Sequence, residues 1–238
     1  LTRTTQQTLR ANHRLTLIAE IEQFRGSRFA DTVSFLVVDA GLTRQLDGGA
    51  NDDPTELDTL RIQSGATTWQ ITGATSGSAQ GSTSIPPIQF TGFESLGGGN
   101  SDDAFVFGAG ALFGGVIDGG QGNDRLDWSV VTNSRVVTLT DNSPAGFAGG
   151  EASVAGGFRG IESLLGRSRN DTLIGDDIAM TWNVGDKQLT DTASHRLLLW
   201  DSFETLLGGT GNDTFFNMRT GTATATSLNG GAGDDSLD

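Results

Sequence analysis

Three stretches of this chain set glycines and a carboxylate at a fixed spacing: GGQGNDRLD (119–127), GGTGNDTFF (208–216) and GGAGDDSLD (230–238). Gly-Gly-x-Gly supplies positive φ and lets backbone carbonyls converge, and an aspartate at position six adds a carboxylate. Stacked in adjacent turns, such oxygens make a cage suited to Ca²⁺. Without an ion, the same residues make a tight Gly-Asn-Asp corner. Both chemistries are open at this level.

Other reactive types recur with the sequence instead of standing apart from it. His13 and His195 both precede Arg-Leu in matching blocks, so they are expected to serve the repeat and not catalysis. Glu22, Glu94, Glu162 and Glu204 each lie nine residues before an aspartate (Asp31, Asp103, Asp171 and Asp213). In a stack of strands they fall roughly 10–15 Å apart, which suits solvated or turn-binding side chains better than an acid pair. Trp69 and Trp182 each follow a threonine and are expected as core or corner anchors, not as a sugar-stacking platform. TGTATATS (220–227) puts threonine on one strand face, expected to point outward. No Gly-x-Ser-x-Gly elbow occurs with a histidine to serve it.

A scaffold that repeats must carry these residues. Four segments align without gaps: IEQFRGSRFADTV (21–33), FESLGGGNSDDAF (93–105), IESLLGRSRNDTL (161–173) and FETLLGGTGNDTF (203–215). NHRLTLIAEIEQFRG (12–26) matches SHRLLLWDSFETLLG (194–208), and DTLRIQSGATTW (58–69) matches DTLIGDDIAMTW (171–182) at its ends. Asp103 to Asp124 spans 21 residues and Asp213 to Asp235 spans 22; the gaps from 124 to 171 and from 171 to 213 are twice as long. Relative to the first copy, the second inserts residues 128–171, again two periods. A stack of coils tolerates whole-period insertion because each coil touches only its neighbours.

The spacing therefore predicts an all-β fold, one parallel β-solenoid of about 22-residue coils over residues 1–238. Roughly eleven coils at about 4.8 Å each would make a rod on the order of 50 Å long. Its copies run roughly 12–69, 70–182 and 183–238, with the Gly-Asp turns at one corner. Segments such as RVVTLT (135–140) and TWQIT (68–72) supply strands with one buried face. The one helical pattern is a weak one at 5–24. Neither end carries the polar cover that a terminal repeat needs. That predicts a piece of a longer chain, its ends covered by more of the same chain or by another copy.

Composition narrows the partners. The longest apolar run, FVFGAGALFGGVI (105–117), is too short and glycine-rich for a membrane helix of about 20 residues, so no membrane span is expected. Without cysteine there is no disulfide and no thiolate chemistry. A net charge of −14, with Lys187 the single lysine, repels nucleic acid and anionic lipid and attracts cations. No targeting signal can be read from the opening LTRTTQQ.

The three nonapeptides resemble the GGxGxDxUx repeats of the RTX (hemolysin-type) calcium-binding proteins. The longer succession of TW, FTGFESLGGG, IDGGQGNDRLDWS, GIESLLG and DTLIG resembles the tandem repeats of giant bacterial surface adhesins. The resemblance implies Ca²⁺ ligand positions at Gly119, Gly120, Gly122 and Asp124, at Gly208, Gly209, Gly211 and Asp213, and at Gly230, Gly231, Gly233 and Asp235. Asp103 keeps its position although Ser101 replaces the third glycine, so Asp103 with Asp124, and Asp213 with Asp235, are the pairs expected to approach a common ion. Asp53 follows Gly48 and Gly49, but Asn51 and Pro54 break that copy. In GSRFAD and GRSRND the later glycines are lost, and Arg28, Arg167 or Arg169 is expected to stand in for the metal.

For the whole protein the resemblance implies a non-enzymatic structural or adhesive segment of a giant secreted protein, at the cell surface. Its expected partners are further copies of itself, the rest of its own chain, and surface glycans. The competing expectation is a polysaccharide-active enzyme, a lyase or epimerase, on a parallel β-helix with RTX-type repeats. The absence of tyrosine and the single lysine count against a unique catalytic groove.

Overall fold

The computed structural model describes residues 7–8, 14–17, 23–35, 44–81, 86–140, 143, 145–167, 170–218 and 227–238. Among these the fold is all-β, with no helix, in two large and mostly parallel sheets of 14 and 11 strands. His13, Glu22, Arg169, most of the TGTATATS segment and most of the weak helical pattern lie outside the described residues.

The chain passes from one sheet to the other almost strand by strand. β1 (Gln7–Thr8), β3 (Gln23–Arg25) and β5 (Arg44–Asp47) lie in the first sheet. β2 (Arg14–Leu17), β4 (Thr32–Phe35) and β6 (Thr59–Ile62) lie in the second. The chain then stays in the first sheet for an antiparallel meander, β7 (Thr68–Gly73), β8 (Ser76–Gln80) and β9 (Ile88–Thr91). β10 (Ser95–Gly97) and β12 (Val116–Asp118) return to the second sheet, and β11 (Ala104–Phe107) and β13 (Arg125–Asp127) to the first. A second meander, β14 (Val136–Thr140), β15 (Phe147–Glu151) and β16 (Val154–Ile161), lies in the second sheet.

After it come β17 (Ser163–Leu165) in the first sheet and β18 (Thr172–Ile174) in the second. A third meander, β19 (Met180–Asn183), β20 (Gln188–Asp191) and β21 (Leu197–Asp201), lies in the first sheet. β22 (Thr205–Gly209), β23 (Thr214–Phe216), β24 (Ser227–Gly231) and β25 (Ser236–Leu237) alternate between the sheets from there on. Each meander puts three strands into one sheet where a simple coil would put one.

This corrects the reading of residues 128–171 as two whole coils. They contribute the second meander to one sheet and only β17 to the other. A coil that carries a meander puts 33–38 residues between linked turns, against 21–22 for a plain coil. The interval from Asp124 to Asp171 imitates two periods because those aspartates lie on opposite edges, so a half coil is added to a meander-bearing one.

Strand formation follows the alternation. In β7 and β14 every second side chain, Trp69 and Ile71 or Val137 and Leu139, is buried between the sheets. Parallel in-register pairing then stacks like on like. Val33, Leu60, Leu96 and Ile117 form one inward row. Trp69 stacks on Phe105 with ring centroids 5.7 Å apart, and Trp182 on Phe215 at 5.3 Å. Both tryptophans are fully buried core anchors.

Candidate functional site: carboxylate ladders on both edges

Because strands within each sheet run parallel outside the meanders, crossings from the first sheet to the second fall on one long edge. Return crossings fall on the opposite edge. The turns of residues 26–31, 48–58 and 166–171 are therefore on one edge, and those of 98–103, 119–124, 208–213 and 230–235 on the other. The three full nonapeptides and the 98–103 turn share one edge, as the sequence suggested, whereas the degenerate copies at 26–31, 48–58 and 166–171 lie on the opposite edge and not at the same corner.

In the turn 119–124 each glycine has a geometric reason. A Cβ on Gly119 would lie 1.9 Å from the Gly160 carbonyl oxygen of neighbouring strand β16 and 2.7 Å from Asp124 Oδ2. Gly120 and Gly122 have φ of 99° and 130°, where a side chain is strained. Gly208 and Gly230 repeat the close approach to the carboxylates of Asp213 and Asp235. Gly209, Gly231 and Gly233 repeat the positive φ, and a Cβ on Gly211 would lie 2.3 Å from the backbone of Ile178.

The aspartates face inward and link one turn to the next. On the first edge the Asp31 N–H donates to Asp58 Oδ1 (2.7 Å) and the Asp58 N–H to Glu94 Oε2 (3.0 Å). Further along that edge the Arg135 N–H donates to Asp171 Oδ1 and the Asp171 N–H to Glu204 Oε2. On the opposite edge the Thr67 N–H donates to Asp103 Oδ1, the Asp103 N–H to Asp124 Oδ1 and the Asp124 N–H to Glu162 Oε2, each at 2.7 Å. A last ladder runs from the Met180 N–H to Asp213 Oδ1 and from the Asp213 N–H to Asp235 Oδ1. The carbonyls of Asp103 and Asp124 accept in return from Arg125 and Ser163.

Glu94, Glu162 and Glu204 are thus turn-binding. Each sits just after a meander, in FES, IES or FET, where no glycine-rich turn brings an aspartate close. Their longer side chains span that gap and end a ladder. Sequence reasoning missed Asp58, although its Asp-Thr-Leu run repeats the Asp-Thr-apolar signal at Asp31, Asp171 and Asp213.

Burial shapes the electrostatics. Asp31, Asp58 and Asp124 have no exposed surface, and Asp103, Asp171 and Asp213 almost none. Burial pushes Asp58 and Asp124 up to about 7, with nearby carboxylates adding to the shift, and raises Asp103 and Asp213 to about 6. Burial likewise raises Glu162. One oxygen on each of Asp31, Asp58, Asp124 and Asp213 is buried without a hydrogen-bond partner. The Trp182 indole lies near enough to ease the charge on Asp213, yet Nε1 and Oδ2 miss hydrogen-bond geometry and both stay unpaired.

A buried unpaired carboxylate oxygen fits a hard cation or a proton. Among the metal-ligand positions that the sequence suggested, Asp124 and Asp213 present such an oxygen. Asp103 presents none, since its Oδ2 accepts from the Gly99 N–H. No group of three or more acidic or histidine side chains gathers around one point among the described residues. Backbone carbonyls of the glycine turns would have to complete any cage.

The expected arginine substitutes take other roles. The Arg28 guanidinium pairs with exposed Asp52 at 3.4 Å, and that of Arg167 donates to the Val130 carbonyl. Peptide N–H groups serve the buried carboxylates instead: Ser27 at Asp31, and Arg135 and Arg167 at Asp171. His195 is exposed in the turn between β20 and β21, at φ 58°.

No family model, no curated protein and no solved structure matches this chain. The resemblance to calcium-binding repeats and adhesin repeats rests on the motifs themselves.

Proposed function

We propose that the chain is a non-enzymatic structural and adhesive segment, a β-solenoid of about 22-residue coils interrupted by meanders, exposed on a cell surface as part of a giant secreted protein. One observation carries the reading: buried carboxylates are spent on tying turn to turn, the same way on both edges. Catalysis needs a set of acid, base and nucleophile that stands apart from the repeat, whereas here the acids serve the stacking. Its partners on this reading are further copies, the rest of its own chain, and surface glycans.

Antibody labelling of intact producing cells tests the location, and incubation with pectin- and alginate-type polymers tests the role. Surface labelling with unchanged polymer length is the expected result. Turnover that disappears when one carboxylate is changed would favour the lyase or epimerase reading.

The unpaired oxygens of Asp124 and Asp213 favour calcium as a stabiliser of the glycine-rich turns. Gly119, Gly120 and Gly122 with Asp124, Gly208, Gly209 and Gly211 with Asp213, and Gly230, Gly231 and Gly233 with Asp235 would hold it. The ion would supply the positive charge that stacked carboxylates lack. Calorimetry should then give few sites, weakened by Asp124→Ala and unchanged by Asp171→Ala. No heat at millimolar Ca²⁺ would leave proton uptake as the compensation.

A further inference from the structure

A row of charged side chains crosses the outer face of the second sheet and does not follow the repeat. Arg61 on β6, Gly97 on β10, Asp118 on β12 and Arg159 on β16 are successive register partners. Arg61 and Arg159 each place Nη2 2.9 Å from the same oxygen, Asp118 Oδ2. Gly97 makes room for this: a Cβ there would lie 2.6 Å from Arg61 Nε. Two guanidiniums share one carboxylate, so the row carries one net positive charge on a chain of net charge −14.

Two residues back on the same face, Thr32, Thr59 and Ser95 stand in register on three neighbouring strands. Their spacing is about 4.8 Å, and with Ser34 and the charged row they line a hollow of about 400 Å³. The corresponding face of the first sheet carries Gln23, Gln45 and Gln89 in register, without an arginine pair.

We propose that this hollow binds a glycan segment bearing one carboxylated sugar. A guanidinium is a planar fork that matches a carboxylate; Arg61 and Arg159 each give one N–H to Asp118 and keep others, so one further carboxylate beside them balances the row. The hydroxyl rungs beside them suit the hydroxyls of the sugars on either side. A dense polyanion fits badly, because the rest of the surface repels it. The proposal deepens the adhesive part of the reading above and rests on it.

The test is calorimetry of the whole chain with a trisaccharide of one glucuronate between two N-acetylglucosamines, and with its carboxyl-reduced form. Saturable binding of the acidic form is expected, weakened about tenfold by carboxyl reduction and by Arg159→Ala, the order lost with a charge-assisted hydrogen bond. Arg159 is half exposed, so the variant should melt with the parent; Thr59→Val, which keeps all charges, should also weaken binding. No saturable binding at millimolar sugar would overturn the proposal, as would equal binding of the reduced form or of phosphatidylserine vesicles. Shortening of the trisaccharide would overturn the non-enzymatic reading but leave an arginine-dependent contact standing.

Discussion

Asp58 has no exposed surface; one oxygen accepts from the Asp31 N–H, and the other, with Asn51 near but out of hydrogen-bond geometry, stays unpaired, so burial pushes it up to about 7. Asp124 is alike. An unfolded aspartate titrates near 3.9, so between pH ~4 and ~7 the folded chain holds more protons than the unfolded one. Stability therefore falls as pH rises through that window. Asp191 acts in the opposite sense. Burial works against its charge, but hydrogen bonds from Ser194 and Arg196 outweigh that and lower its pKa, so its contribution is lost as pH falls below the unfolded value. In calcium-free buffer the melting temperature should peak near pH 4–5 and decline toward pH 8. Asp58→Asn should flatten the decline, and an unchanged slope would remove Asp58 from the account. At the same scale, Gly119→Ala must displace the backbone of β16 at Gly160 and should cost about 1–3 kcal/mol, read by chemical denaturation.

The meanders are the elements with the most individual anchoring. Arg196, in the turn between β20 and β21, pairs with Asp191 at 2.8 Å and donates to the carbonyls of Ser143 and Gly146, beside the second meander. Its guanidinium also lies over the Phe147 ring. At the tip between β15 and β16, Glu151 receives Arg135 and binds Ser153, whose hydroxyl accepts from the Trp128 indole. Breaking a buried pair from one side leaves an uncompensated charge. Arg196→Ala and Glu151→Ala should each cost about 3 kcal/mol or more, whereas Arg25→Ala, at an exposed 3.7 Å pair, should cost under about 1 kcal/mol. Urea denaturation of the three variants decides it; equal losses would mean the meanders are held by strand pairing alone.

Over the whole molecule, strands added side by side lengthen the particle without widening it. Fourteen strands at about 4.8 Å give roughly 60 Å along the stack. Small-angle scattering should therefore return a radius of gyration above the ~18 Å of an equally long globular chain. A value at or below that figure would contradict the stacked arrangement. The edges explain the coherence of the stack, since the carboxylate links run between turns that are distant in sequence but adjacent in space.

Local chemistry written into consecutive residues was legible in the sequence. Alternation in TWQIT and RVVTLT specified strands with one buried face, because successive side chains of a strand point to opposite sides. Gly-Gly-x-Gly-x-Asp specified tight turns, and the recurring Glu-to-Asp spacing specified that the turns would stack. Only the tertiary structure decided where those turns sit and what their carboxylates touch. Two plain coils and a half coil followed by a coil with a hairpin have nearly the same length, so spacing alone does not tell residues 128–171 apart from two whole coils. An aspartate side chain can turn toward an ion, an arginine or a neighbouring peptide. The choice at Asp103 and Asp171 was made by N–H groups of Thr67 and Arg135, 36 residues away in each case, which reach the carboxylate only once parallel pairing has brought the two turns side by side.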